Sequence, residues 1–376
     1  MLSLHIDTAR TWRGGQNQAL LTVLGLRSIG HRTILVCHPQ GELRKRASEG
    51  PDLIPLAPRS ELDLATAWRF ARVLEEFRPR IVHAHDPHGV ALAALALSLR
   101  TIVPAPVLVA SRRVDFHLKT NAFSRWKYRQ VRAFLCASDA IREMLVSQGI
   151  PADCTVTVHE GIDLEHVAAA PPANVHETFW LPHKAPVIGN VGALVPHKGQ
   201  RYLIDAAAQV VREVPDARFV ILGEGDLRPT LQRQIADLGL EKHVLLAGFR
   251  IDVLSLLKGF DIFVMPSVTE GLGTSLLDAM ACARPIVASR VGGIPEVVAH
   301  ERTGLLVPPK DADLLAEALT RLLQDRALAD RYAKAGYARV TERFTVERMV
   351  EETLRVYARL VDTAPAADIR DRGAGS

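Results

Sequence analysis

The sequence predicts an α/β protein made of two doubly wound domains facing a cleft, and two observations carry that prediction. Short β-branched apolar runs alternate with amphipathic stretches, the pattern of a parallel sheet covered by helices on both faces. The alternation runs twice, and 376 residues suit two domains of ordinary size. Ligands of such sheets bind outside the carboxyl ends of the strands, so a cleft between two of them has room for two ligands.

In the first half, strands are expected at Leu2–Ile6, Arg32–Cys37, Ile81–Ala84, Val107–Ser111 and Ala133–Ala137. Residues 166 to 186 then carry Pro171, Pro172, Pro182 and Pro186, which interrupt any regular element, and the linker is placed there. A second series of strands is expected at Val187–Val191, Arg218–Leu222, Val244–Ala247, Ile262–Met265, Ile286–Ala288 and Gly304–Val307. Residues 345 to 361 place Val346, Met349, Val350, Thr353, Leu354, Tyr357 and Leu360 at helical spacing, which predicts an amphipathic helix. Residues 362 to 376 have few large apolar side chains and read as a flexible tail.

Hydrophobic residues make up 48% and charged residues 23%, a globular composition without any run of apolar residues long enough to span a membrane. The start, MLSLHIDTARTWRGG, reads as a first strand and not as a secretory signal, so a cytoplasmic location is expected. Cys37, Cys136, Cys154 and Cys282 are scattered without a CxxC pair, which points to buried thiols and not to zinc or disulfides. A net charge of +4 is too mild to argue for nucleic acid.

The most informative segment is PSVTEGLGTSLLDAMACARPIVASRVGGIPEVV, residues 266 to 298. Glycines at 271 and 273 allow a tight turn after the strand, and Thr274 or Ser275 is placed to cap the helix that follows. Backbone N–H groups at such a helix start suit a diphosphate. Glu270 before the helix and Asp278 one turn inside it could accept hydrogen bonds from neutral hydroxyls.

This segment resembles the EX7E motif of the family 4 retaining glycosyltransferases (GT-B fold, glycosyl transferases group 1), with Asp278 where the second Glu is usual. The resemblance implies the GT-B fold, two Rossmann-like domains. An N-terminal acceptor-binding domain would cover 1–168, completed by the helix 345–361, and a C-terminal donor-binding domain would cover 185–344. It also implies a donor site of Gly271, Leu272, Gly273 and Thr274, with Glu270 on the sugar hydroxyls and Asp278 on the ribose. Asp is one methylene shorter than Glu, so the ribose contact is closer or water-bridged.

In GNVGALVPHKGQRYLIDAAAQV, Gly189 and Gly192 leave room for close backbone approach, and Lys198 resembles the family lysine that neutralises the leaving diphosphate. The family places an Arg directly after the second glycine; here that position is Ala193, and Arg201 is one candidate to supply the charge. Gly223-Glu224-Gly225 resembles the next strand turn. Gly248-Phe249-Arg250 resembles the loop bordering the nucleotide base, with Arg250 the better binding candidate and Phe249 at least equally suited to the core.

In the first half, Gly15 matches the family glycine whose backbone approaches the donor phosphate or the acceptor, the alternative being a plain strand-to-helix turn. His85 in IVHAHDPHG matches the histidine near the anomeric carbon, and His83 is expected on the opposite face. An HxH pair can signal metal, yet no carboxylate or cysteine cluster accompanies it, and no metal and no cofactor are expected. Asp311 and Asp313 open a helix and read as caps and not as a metal-binding DxD.

The segment 111–132 holds seven Arg or Lys against one Asp, interleaved with Phe116, Phe123, Trp126 and Tyr128. That charge suits an anionic acceptor bound through Arg112 and Arg113, or a peripheral contact with the inner face of the plasma membrane; a solvated helix with ordinary aromatic anchors accounts for it equally well. No nucleic-acid motif accompanies it. The expected partners are thus a UDP- or GDP-sugar as substrate and a saccharide or lipid-linked acceptor of the cell envelope. Ala193 and Asp278 leave as an alternative a nucleotide-sugar-binding protein without transfer activity, and the shared two-domain architecture leaves a nucleotide-sugar epimerase as another.

Overall fold

The computed structural model describes residues 1–47 and 52–362, so all of the expected tail except Asp362 lies outside the described residues. The chain forms two compact units: residues 1–137, 142–158 and 346 onward in the first, residues 138–141 and 159–345 in the second.

The first unit holds seven parallel strands: β1 (Leu2–Asp7), β2 (Arg32–Cys37), β3 (Asp52–Pro55), β4 (Ile81–Ala84), β5 (Val107–Arg112), β6 (Ala133–Cys136) and β7 (Thr155–Thr157). Their order is β3-β2-β1-β4-β5-β6-β7, so the chain winds outward from β1 and returns to start again at β4. That reversal opens a crevice at the carboxyl ends of β1 and β4. The edge strands β3 and β7 escape sequence reading because they are short and half-exposed, with no continuous apolar run.

The helix Val346–Asp362 belongs to this unit. Its Met349, Val350, Val356, Tyr357 and Leu360 share one buried cluster with Leu26, Ile81, Val109 and Ala133. It lies so close to the helix Gly14–Ser28 that a Cβ on Gly25 would stand 2.5 Å from Val350 Cγ2.

The second unit holds six parallel strands, β8 (Val187–Val191), β9 (Arg218–Leu222), β10 (Val244–Gly248), β11 (Ile262–Met265), β12 (Ile286–Ser289) and β13 (Leu305–Val307), in the order β10-β9-β8-β11-β12-β13. Its switch point lies between β8 and β11. On the helix Gln200–Glu213, Leu203, Ile204, Ala207 and Val210 bury against Phe219, Ile221, Ile262 and Val264. The space at Gly189 is filled by the Phe260 ring, so this glycine serves the core and not a ligand.

The proline-rich stretch 166–186 is laid against the second unit. Short helices Leu164–Ala169 and Val175–Thr178 punctuate it. Ala173 N–H donates to Ser255 O at 3.0 Å, and Lys258 Nζ donates to Ala170 O at 2.5 Å. Its prolines delimit short helices; they do not open a tether.

Candidate active site

In the second unit, two loops meet at the switch point. After β8 the chain makes a 3-10 turn at Pro196–Lys198, closed by Gly199 at φ +68°. A Cβ on Gly199 would stand 2.0 Å from Pro266 O, so only glycine lets the turn press against the loop that follows β11. Val268 N–H donates to His197 O at 2.8 Å and ties the two loops together.

The consequence is a pair that sequence reading treats as two separate groups. Lys198 Nζ donates to Glu270 Oε2 at 2.6 Å, and the buried Ser267 hydroxyl donates to the same oxygen at 3.0 Å. Oε1 of Glu270 has no hydrogen-bond partner among the described residues. Behind it, Gly292 at φ +50° would place a Cβ 1.8 Å from Glu270 O, and Gly293 N–H donates to Gly271 O at 3.0 Å. The two glycines of the GGIPE sequence thus hold the acid's own backbone.

The helix Thr274–Ala281 starts at Gly273, whose φ of +94° makes the turn. The expected cap fails: Thr274 is already helical, Ser275 Oγ donates to Val191 O at 3.4 Å, and no side chain caps the helix. Its first-turn N–H groups therefore present the positive end of the helix without a side-chain acceptor. Leu272 is buried, so its side chain packs in the interior and does not face a ligand. Asp278 lies one turn in, partly exposed at its edge. Protein surrounds its carboxyl closely enough that desolvation pushes it up to about 7, and no described residue hydrogen-bonds it.

Gly192 differs from the packed glycines. A Cβ there would meet Gln200 Nε2 at 3.5 Å and Lys198 Cδ at 3.7 Å, ordinary contacts, so the fold does not demand glycine at this position. The buried Gln200 donates Nε2–H to Ala193 O at 3.0 Å and fixes the loop, while its own Oε1 stays buried and unpaired. Among the described residues the Arg201 guanidinium makes no hydrogen bond to this loop; it lies 5.2 Å over the Tyr202 ring. Arg250 grips Asp252 through Nε and Nη2 at 2.8 and 2.6 Å, which holds the guanidinium above and the carboxyl below their usual ranges. Phe249 is 60% exposed, which rules out a core role. Asp311 caps the helix Ala312–Gln324 by accepting from Leu314 N–H at 2.9 Å, as the sequence predicts.

The first unit assembles a second cluster at its own switch point. Pairing of β1 with β4 sets His5 opposite His83, and His85 follows two residues on. The expectation that His83 faces away from His85 fails, because side chains two apart on a strand share a face; the rings lie 4.2 Å apart. Arg113 Nη1 donates to His85 Nδ1 at 3.0 Å, and its Cδ lies 4.0 Å from the Cβ position of Gly15. That is the one atom near the Gly15 Cβ position among the described residues, so Gly15, like Gly192, is not required by packing. Asp7, at the end of β1, accepts from Ala9 N–H at 3.1 Å and Gln16 Nε2 at 3.2 Å; burial, then the nearby Asp86, pushes it up to about 7.

The three histidines are close enough to hold a metal ion. Every ring nitrogen, however, already has a protein partner: His5 pairs with Ser3 and His85, His83 with Tyr357 and Ser111, and His85 with His5 and Arg113. A cationic guanidinium bonded to one of them is a poor neighbour for a divalent ion, so the donor set does not fit one.

The basic segment divides. Arg112 is buried, donates to Phe116 O and has its Nε unpaired, with burial lowering its basicity. The Lys127 side chain, 1% exposed, pairs with Glu61 at 2.8 Å. These two cations serve the fold, and Arg113 alone of the Arg112–Arg113 pair reaches the Gly15 loop.

Two family models match the chain, one half each: glycosyltransferase family 4 over residues 12–166 and glycosyl transferases group 1 over residues 175–339. The chain belongs to the family 4, group 1 glycosyltransferases. An alpha-D-kanosaminyltransferase of Streptomyces kanamyceticus is 27% identical, covering 90% of this chain and 97% of its own length. A UDP-Gal:alpha-D-GlcNAc-diphosphoundecaprenol alpha-1,3-galactosyltransferase of Escherichia coli is 25% identical over 80% of both. HepE of Anabaena, solved with UDP and glucose, superposes with a TM-score of 0.83 at 20% identity, covering 96% of this chain and 100% of that one. The fold of this glycosyltransferase is GT-B.

Sequence reading of the glycosyltransferase site overlooks Ser267, Gln200, Ser3, His5 and Asp7. Ser267 carried a signal, lying three residues before Glu270. Gln200 and His5 did not, because their partners are distant in sequence or bonded only through strand register.

Proposed function

We propose that this glycosyltransferase moves a sugar from a nucleoside-diphosphate sugar to an acceptor hydroxyl with retention of anomeric configuration and without a metal ion. The observation that carries this reading is the convergence of Lys198, Glu270 and the uncapped helix start at Gly273–Thr274 on one switch point. A departing diphosphate needs positive potential fixed in advance, and the helix end with Lys198 supplies it. Glu270 keeps Oε1 for a sugar hydroxyl, while Asp278, without a partner of its own, suits a ribose hydroxyl. On this reading Lys198 exchanges its contact with Glu270 for the diphosphate when the donor binds.

Catalysis then rests on positioning and charge stabilisation. Displacement proceeds on the front face through an oxocarbenium-like state, and the donor phosphate takes the proton from the acceptor hydroxyl. The first unit would bind the acceptor and the second the donor. Relatives whose names specify UDP-Gal or GDP-mannose support either base as a candidate. Lipid-linked acceptors in the same names, with Arg113 at the Gly15 loop, support an anionic saccharide or lipid-linked glycan of the cell envelope. Work at the inner face of the membrane fits a cytoplasmic protein in which no described helix is long and apolar enough to cross a membrane.

The test is incubation with UDP- and GDP-sugars and a panel of saccharide and polyprenyl-linked acceptors, with and without EDTA. Product whose anomeric proton coupling matches the donor supports retention, and unchanged rates in EDTA support metal independence. Binding without transfer to any acceptor, or conversion of donor alone, would reject the reading.

A further inference from the structure

His83 joins two further side chains in a line of polar contacts beside the His5–His85 pair. Its Nδ1 lies 2.6 Å from the Tyr357 hydroxyl, and its Nε2 lies 2.8 Å from Ser111 Oγ. Pairing of β4 with β5 sets His83 opposite Val109, so Ser111, two residues on, shares the same face of the sheet at the carboxyl end of β5. Tyr357 comes from the helix Val346–Asp362 and packs in one cluster with Val109.

Such a line of tyrosine, histidine and serine has two forms, which differ in where the protons sit. If His83 Nδ1–H donated to Tyr357, Nε2 would accept the Ser111 proton and make the serine a nucleophile. The Tyr357 proton would then have nowhere to go, because the side chain is fully buried and His83 is its hydroxyl's sole partner among the described residues. An orphaned buried donor is the costlier deficit, while a spare oxygen lone pair is tolerated more readily. Tyr357 therefore donates to Nδ1. His83 is neutral, since burial drives its basicity well below the usual histidine range, so its one proton sits on Nε2 and is given to Ser111 Oγ. Ser111 is therefore no nucleophile.

What this leaves Ser111 is a proton of its own to give. The residue is partly exposed, and His83 is the only hydrogen-bond partner of its hydroxyl among the described residues. One lone pair is held from behind by a buried ring N–H, so the O–H turns away from the core towards the end of β5.

We propose that Ser111 is a substrate-binding residue whose hydroxyl donates a hydrogen bond to an oxygen of the acceptor, with His83 and Tyr357 as positioning residues that set its direction. The oxygen offers a lone pair and belongs to a phosphate group or to a sugar. The proposal rests on the transferase reading for the acceptor and for the first unit's part in binding it, but the contact can be measured without turnover.

Nitrogen-detected NMR of the full chain labelled with 15N-histidine, with His83 assigned through its proximity to the Tyr357 ring, reads the tautomer directly. The neutral Nε2–H form is expected. The Nδ1–H form or a protonated ring would overturn the relay. Calorimetry with glucose 6-phosphate and with maltose then reads the contact, the first probe offering phosphate oxygens and the second only sugar oxygens. In Ser111→Ala the Kd of at least one probe rises about three- to tenfold, the range of one hydrogen bond lost, while the Kd of UDP and the melting temperature stay at their wild-type values. Ser111→Thr, which keeps the hydroxyl, recovers part of the affinity.

The probe that weakens tells a phosphate oxygen from a sugar oxygen. His83→Leu removes the ring that holds the serine and is expected to shift the same Kd in the same direction; should it fail to fold, Ser111→Ala and the tautomer decide. In transfer assays, Ser111→Ala raises the KM of the acceptor and leaves that of the donor unchanged. Wild-type affinity in Ser111→Ala, equal losses for UDP and the acceptor probe, or no binding of either probe by the wild type overturns the proposal. The expected tautomer and Kd shifts without transfer from any donor would instead count against the transferase reading and leave the Ser111 contact standing.

Discussion

Lys198 Nζ lies 2.6 Å from Glu270 Oε2, with the Ser267 hydroxyl on the same oxygen. The cation assigned to a leaving diphosphate and the acid assigned to a sugar hydroxyl therefore hold each other in place. An acid with one oxygen occupied and one open is oriented in advance, which lowers the entropy lost when a sugar arrives.

Lys198→Ala is expected to lower kcat by about 10²- to 10³-fold, the range seen when one group stabilising a developing anion is removed. The pair is partly solvated, so the melting temperature should move little. Wild-type turnover in steady-state assays would remove Lys198 from the mechanism.

Asp278 provides a pH test. Its carboxyl titrates near 7 in the folded chain against 3.8 for the ordinary side chain, so the folded state binds more protons between those values. Stability is therefore lost as pH rises from about 4 to about 7 and levels off above that. Asp278→Asn should raise the melting temperature at pH 8, with a ceiling of about 4 kcal/mol, and have little effect at pH 4. Equal shifts at both pH values in thermal scans would contradict the buried, unpartnered carboxyl.

Three glycines make a contrasting set. Gly292→Ala forces a Cβ towards Glu270 O at a positive φ, and should cost about 1–3 kcal/mol as well as activity. A Cβ in Gly15→Ala or Gly192→Ala would meet protein atoms only at ordinary contact distances, 3.5 Å or more, so both should fold with nearly wild-type stability while binding nucleotide more weakly. Unimpaired binding of UDP and GDP by both would show that these openings serve no ligand.

Tyr357→Phe removes the hydroxyl bonded to His83 Nδ1 at 2.6 Å. Leaving one buried ring nitrogen unsatisfied should cost about 1–3 kcal/mol in denaturant unfolding. A negligible change would mean that the helix is held by its apolar contacts alone.

Much of this was legible in the sequence because it rests on local pattern. The long buried strands, the glycine turn after β11 and the Asp311 cap follow from apolar runs, φ requirements and helix-start chemistry. Phe249, Arg112 and Lys127 were not legible, since the number of neighbours around a side chain depends on elements far away in the chain. The Lys198–Glu270 pair and the histidine chain needed the strand order, which no single segment contains. The error at His83 was of another kind: the period of a strand already places residues 83 and 85 on one face.

The placement of the helix Val346–Asp362 bears on how the protein is made. A ribosome that has released everything up to Thr345 has delivered the whole second unit, yet Leu26, Ile81 and Val109 still lack the side chains that cover them. Although its strands emerge first, the first unit must wait for the helix Val346–Asp362, which follows the whole second unit, to close its core, which reverses the usual order of domain completion along a nascent chain.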